Sequence, residues 1–455
     1  MTPFRHHLKA VFLLGLPLAG SYLAQLSIGI TDTVMVGWYG VEELAALSLA
    51  TSYYFVLYLL GSGFAIAVMP LVAAAIANED RVQVRRVTRM GVWISALAGL
   101  AFIPFFWFSD PIFLALGQQP DLSLSMQDYL RIAGWSMPFF LIAMVFKSHL
   151  SALEYTQIVL WSTLAAAGLN AFVNWVLIFG NLGAPELGLR GAAIASLGTN
   201  IVLFVFLAAY AALAKDLRSY AILARAWRPD WDAFGQVFRL GLPIGLTMLA
   251  ESGLFTASAF MMGWISEEAL AVHGIALQIT AATFMIHLGL SSAATVRAGN
   301  AFGQGDTVNL RKGAQAALIL SLAMVGLTIA LFLGIPDLLI GLFLDPAEPH
   351  RDQLIALGVS LLAMAALFQL ADAMQVMALG FLRGVQDTKR PMIYAVFSYW
   401  VIGVPASYVL GFSFGMGGVG IWLGMAIGLS IAGLTMMARF WWGTAANVPR
   451  PAEQI

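Results

Sequence analysis

The chain has 455 residues, 60% of them hydrophobic and only 10% charged, with a mean hydropathy of +0.84 and a formal net charge of −1. That composition excludes a soluble domain, in which about 25% of residues are charged, and the balanced charge excludes a nucleic-acid partner. There is no cysteine, so disulfides and thiolate metal sites are excluded as well.

Continuous apolar runs recur along the whole length, each near the roughly 20 residues that a spanning helix needs. They do not alternate as the strands of a membrane barrel would. Charged clusters and Pro/Gly punctuation predict six spans at 11–36, 44–77, 88–107, 129–153, 158–180 and 189–214. Six more follow at 235–263, 269–298, 313–334, 353–382, 392–414 and 418–441. Arg5 and Lys9 precede a long run with no small-residue cleavage site, so the first span reads as uncleaved. With alternate loops on opposite sides, one side collects 20 of the 23 basic residues, from Arg5 and the Arg81 to Arg89 cluster through Lys147 to Arg439 and Arg450. The other side keeps Arg131, Arg190 and Arg351 and carries a set of acids that includes Glu42, Glu43, Glu267, Glu268, Asp337, Asp345 and Glu348. The positive-inside rule then places both termini in the cytoplasm of a multi-pass plasma (inner) membrane protein.

A basic connection from Lys215 to Asp232 separates two sets of six spans, and an internal repeat agrees with it. Shifted by 226 residues, Gly15–Ala50 falls on Gly241–Ala276 with 12 identities in 36 ungapped positions, and the register continues to Asp80 on Asp306. The expected fold is all-α: twelve transmembrane helices in two six-helix pseudo-symmetric lobes, 1–214 and 235–455, joined by a cytoplasmic linker at 215–234. An even number of spans per half inserts both copies the same way up, as in transporters that alternate access around a midplane site.

Three acids fall inside spans: Asp32, Glu251 and Asp372. A charge at mid-helix costs at least about 2.5 kcal/mol, so each needs a partner or a use. Glu251 shares a helical face with Thr247 and Ser258, and Asp372 with Gln369 and Gln375. A carboxylate among neutral oxygens can coordinate a hard cation such as sodium, or it can bind a proton, and the residues leave both open. No Lys or Arg within a span is an obvious partner for these acids; Lys147, near the cytoplasmic end of its span, is the nearest candidate. Gln25 stands at the repeat equivalent of Glu251, and Asn170 and Asn174, one turn apart, are placed to hold Asp32 or to bond neighbouring helices. Met248, Phe255, Phe284 and Phe368 are candidates for a cavity that takes apolar cations, although Met and Phe also face lipid. Pro17 and Pro243 either bend the twin spans or, for Pro243 especially, begin a helix in its first turn. No HExxH, GxSxG or Walker A sequence occurs, so an ATP-driven pump or a membrane protease is not expected.

These residues resemble the multidrug and toxic compound extrusion (MATE) transporters, in particular the NorM-type branch. The resemblance rests on Thr31–Gly37, on Glu251-Ser252 with Gly263-Trp264, on Gln369–Gln375, on Leu382–Thr388, and on the stretch ending at Arg297 ahead of Gly303–Asp306. It implies a non-enzymatic antiporter, without cofactors, that exports cationic amphipathic compounds in exchange for sodium or protons. Glu251 and Asp372 would form one cation site and Asp32, Asn170 and Asn174 another, with Gln278 and Gln375 in support and no metal other than sodium. Pro17 would be the bending proline, and the protein would act as a monomer. Many relatives have His-Gln-Ile-Ala-Leu-Asn where this chain has His273 to Gln278 with Gly274. The alternatives are a flippase for a lipid-linked or amphipathic metabolite, and a non-transporting receptor or scaffold.

Overall fold

A computed structural model describes residues 3–346 and 348–445, and no strand occurs among them. Arg450, assigned above to the cytoplasmic side, lies outside the described residues. The first half contains α1 (Phe4–Tyr39), α2 (Val41–Ala77), α3 (Arg81–Trp107), α4 (Pro120–Ala133), α5 (Ser136–Ala152), α6 (Thr156–Phe179) and α7 (Leu189–Leu213). The second contains α8 (Trp231–Ile265), α9 (Glu267–Gly303), α10 (Thr307–Gly334), α11 (Arg351–Gly384), α12 (Lys389–Ser413) and α13 (Gly417–Thr444). Eleven of these are long and apolar enough to cross a membrane, and twelve if α4 and α5, bent by 46°, count as one span. The chain is an all-α, multi-pass membrane protein.

The fourth span is the one whose form differs from the sequence expectation. The apolar run predicts 129–153, but the structure begins this span at Pro120 and breaks it at Gly134-Trp135. Asp121, Gln127, Asp128 and Arg131 make α4 too polar to register as part of an apolar run. Pro138, in the first turn of α5, has no N–H to continue the ladder from Gly134. Elsewhere the helices overrun the apolar stretches. The 37 residues of α2 or of α9 extend about 55 Å at about 1.5 Å per residue, beyond the roughly 30 Å hydrocarbon core. Pro243 therefore lies twelve positions inside α8 and does not begin it.

The repeat is visible in the turns. After α2 and α9 the chain enters the left-handed region at Glu79 (φ 55°) and Gly305 (φ 65°). Asp80 and Asp306 then cap the next helix by accepting from the backbone N–H of Gln83 and Asn309, each at 2.9 Å. Glu154 (φ 66°) and Gln386 (φ 61°) also enter the left-handed region, after α5 and α11.

The chain forms two compact units, one of residues 20–245 and one of residues 1–19 with 246–455. The expected division at 214 and 235 follows the chain, whereas these units exchange the first part of each twin helix. Within the 20–245 unit, Gly241 and Gly245 of α8 press so closely on Gly63 of α2 that a methyl group at Gly63 would meet their backbone. Within the other unit, Ala19 of α1 presses on Gly289 of α9 in the same way, and Gly15 lies against Leu290. Gly63 and Gly289 are themselves 226 residues apart, so the exchange follows the repeat. Small residues four apart are what allow such backbone approach between helices in lipid.

Candidate functional site

In the 20–245 unit the site is built on Asp32, which α1 presents between Thr31 and Thr33. Asp32 is buried, and its Oδ1 accepts from Asn174 Nδ2 on α6 at 2.5 Å. Asn174 also donates to Asn170 Oδ1 at 3.2 Å, because residues four apart lie on one helical face. The second carboxylate oxygen accepts from Ser196 on α7 at 3.1 Å. Tyr129 on α4 is close enough to feel the charge of Asp32. Asn170 and Asn174 are fully buried, and Asn174 Oδ1 has no hydrogen-bond partner. Ser196 and Tyr129 escaped sequence reasoning. Ser196 is one of few polar positions in its span, which is the only signal it gave.

In the other unit Glu251 lies within electrostatic reach of Asp372 and Arg383, and Tyr399 within reach of all three. Asp372 is buried on α11 and its Oδ1 has no partner. Gln369 Nε2 donates to Thr283 Oγ1 at 2.5 Å, and Gln375 Nε2 donates to the Tyr399 hydroxyl at 2.7 Å. The carbonyl oxygens of both glutamines are left buried without a donor. One face of α11 thus carries three acceptor oxygens and no hydrogen to fill them, an arrangement that a cation or an added proton satisfies. Among the described residues, no group of three or more His, Cys, Asp or Glu gathers to hold a metal.

Local backbone geometry positions the aromatic partners. In α12 the stretch Phe397–Gly403 winds as a π-helix, whose wider turn is common at functional sites. It sends Tyr399 to Gln375 and the adjacent Trp400 to the backbone oxygen of Ala250, which its Nε1 reaches at 3.2 Å. Gly253 makes room for that indole; a methyl group there would stand 2.5 Å from Trp400 Cζ2.

The remaining candidates separate. Ser258 turns from Glu251 to His273, approaching Nε2 at 3.3 Å, while Trp422 donates to His273 Nδ1 at 3.1 Å. Nδ1 is therefore the acceptor and Nε2 carries the proton, which commits both ring nitrogens to packing α8, α9 and α13. Gln278 is exposed, and no described hydrogen bond ties it to the acids. Met248, Phe255 and Phe284 are partly exposed, but Phe368 is buried between Phe255 and Trp422, with ring centroids 5.9 and 5.4 Å away. Lys147 bonds to Gln25 and not to an acid. The basic side chain near the acids is instead Arg383, buried at the end of α11 and hidden in the sequence among the loop cations. Pro17 lies well inside α1, two residues before the chain passes from one unit to the other.

Comparison with known proteins agrees with this architecture. The MatE family profile matches residues 17–176 and 243–409, beginning each time at the repeated proline. The chain is 43% identical to the probable multidrug resistance protein NorM of Rhizobium meliloti over 95% of its own length and 93% of that protein. It is 34% identical to the protein of that name in Pseudomonas aeruginosa, covering 99% and 92% of the two chains. Its fold is similar to the crystal structure of the eukaryotic MATE transporter AtDTX14, with a TM-score of 0.86 at 18% identity over 97% and 98% of the two chains. A crystal structure described as MATE in the bent conformation gives a TM-score of 0.85 at 20% identity, with 98% and 100% covered. The chain belongs to the MatE family of membrane transporters.

Proposed function

We propose that the protein is a secondary-active antiporter of the inner membrane that exports cationic amphipathic organic compounds in exchange for sodium or protons. The observation that carries this reading is the unfilled acceptor set of Asp372, Gln369 and Gln375 beside Glu251. An entering sodium ion or proton supplies the missing positive charge. It thereby competes with an organic cation for the same carboxylates and favours its release. Met248, Phe255 and Phe284 are the proposed apolar lining. Asp32 with Asn170, Asn174 and Ser196 is proposed as a second cation site, with Pro17 as a bending point in the helix that carries it. The protein works as a monomer with both termini in the cytoplasm, as the distribution of basic residues supports.

The test is reconstitution in liposomes with sodium and proton gradients imposed separately, and dye efflux as the readout. Glu251→Gln and Asp372→Asn keep shape but remove charge. Each is expected to lower gradient-driven efflux by at least about tenfold, the scale of losing one charged interaction, with the folded fraction unchanged. Efflux at the wild-type rate in both variants would refute the mechanism.

A further inference from the structure

In the 20–245 unit, α5 is buried on nearly every side, and of its 17 residues only Phe139, Phe140, Met144 and Lys147 are not buried. Phe140, Met144 and Lys147 are spaced by four and three, which aligns them in one stripe along the helix. At one end Phe140 stacks on Tyr58 of α2, with ring centroids 5.1 Å apart and planes at 17°. Phe55 continues this aromatic surface, 5.6 Å from Tyr58. At the other end Lys147 Nζ donates to Gln25 Oε1 of α1 at 3.1 Å. No carboxylate among the described residues lies within ion-pair distance of Lys147.

A cation on an apolar helix with only a neutral partner is costly, and such residues pair or serve a ligand. A lysine with a merely structural role reduces the cost by extending to the headgroups. Lys147 instead ends on a side-chain amide of the neighbouring helix, and that bond uses one of its three donors. The repeat sharpens the contrast: the twin of Gln25 is Glu251, so one unit places an acid where the other places an amide held by a cation.

We propose that this stripe is a subsite for the anionic group of an amphipathic small molecule. A carboxylate of the ligand accepts from Lys147, and the planar apolar part of the same molecule lies along Met144 on Phe140 and Tyr58. A charge-assisted N–H···O bond is stronger than its neutral counterpart, the rings offer a stacking surface, and the methionine adapts to varied shapes. The inference rests on the exporter reading above and deepens it: where a substrate carries a carboxylate beside its cation, Lys147 is the residue that reads the acid.

The experiment measures binding, by fluorescence anisotropy, of two dyes to the purified protein in detergent. One is a planar xanthylium dye with a free carboxylate, and the other is its methyl ester, which keeps the planar cation and replaces the negative group by a neutral ester. In Lys147→Met, binding of the acid dye is expected to weaken by about tenfold or more, as for loss of a charged hydrogen bond, while the ester keeps its affinity. Lys147→Arg keeps the charge and is expected to retain most of the acid-dye affinity. Three results overturn the subsite: failure of the wild-type protein to bind the acid dye, equal affinity of Lys147→Met and wild type for it, and equal loss of both dyes in Lys147→Met. The last would mean that Lys147 only holds α5 to α1. Because binding is read without a gradient, failure of antiport in liposomes with acid-selective binding intact would count against the exporter reading alone.

Discussion

At the scale of single residues, the acceptor oxygens on α11 matter through what surrounds them. Gln375 is held by Tyr399, and Tyr399 is held by the π-helical stretch that also sends Trp400 to the Ala250 carbonyl, one residue before Glu251. Gly253 is the position on which this arrangement depends. Gly253→Ala would force the indole away, and overpacking of this kind typically costs about 1–3 kcal/mol. The expected result is a lower melting temperature for the purified protein together with slower efflux, because the Glu251 backbone loses its tether. Gly168→Ala, with open space around the new methyl group, is the control and should melt no lower than wild type. An unchanged melt for Gly253→Ala would show that the indole is free to move. Asp32, Glu251 and Asp372 were legible in the sequence because an acid in an apolar run stands out. Ser196, Tyr399 and Trp400 were not, since serine and aromatic residues are ordinary in spans and only the tertiary fold aims them. Arg383 was hidden for a different reason: hydropathy ends a span at its last apolar residue, but the helix and its buried face run on.

Elements show the same pattern. The twelve spans were legible from apolar runs and charge, whereas α4 was lost because its polar face mimics a loop. The connection after α7 read as a linker, and the structure docks it along α3. Arg89 donates to the Arg225 carbonyl at 3.0 Å and Trp93 to that of Ala226 at 2.8 Å, and Arg86 pairs with Asp230 through both carboxylate oxygens. The hydrogen bond from Arg86 holds the Asp230 carboxyl below the usual carboxylate range. A carboxylate whose pKa is depressed on folding contributes fully above its unfolded pKa, and the contribution is lost only as pH falls through the depressed value. Docking of the linker is therefore expected to persist from neutral pH down to about 4, the ordinary aspartate range, and to weaken in stronger acid. Asp230→Asn removes the charge at every pH. Trypsin, which has Lys215, Arg218 and Arg225 as targets in this segment, should then cut it several-fold faster at neutral pH. The same cutting rate in wild type and Asp230→Asn would show that the backbone contacts alone hold the linker.

For the whole molecule, the duplication sets more than the number of helices. A pair of tandem lobes could have formed with each half of the chain closed on itself, which is how the sequence divides. Instead the leading part of each twin helix belongs to the unit of the opposite half, and the change falls at equivalent positions, after Ala19 and after Gly245. The close approach of Gly241 and Gly245 to Gly63, and of Ala19 to Gly289, is what gives those segments their place. The small residues were present in the sequence, but glycine is frequent in membrane helices, and nothing in the spacing said which helix each would meet. If the exchange is a property of the repeat, its two instances should respond alike. Gly63→Leu and Gly289→Leu would each place a branched side chain against backbone, which cannot yield as a flexible side chain can. Each is expected to lower the melting temperature of the purified protein by a similar amount, with a cost of at least about 1–3 kcal/mol. The double variant should add the two losses, because the sites lie in separate units with no shared partner. Leucine at Gly168, where nothing lies within 4 Å, measures the effect of adding the same side chain without a collision. A large loss at Gly63 with none at Gly289 would mean that only one exchanged segment is fixed by packing, and that the second is held by the chain connection alone.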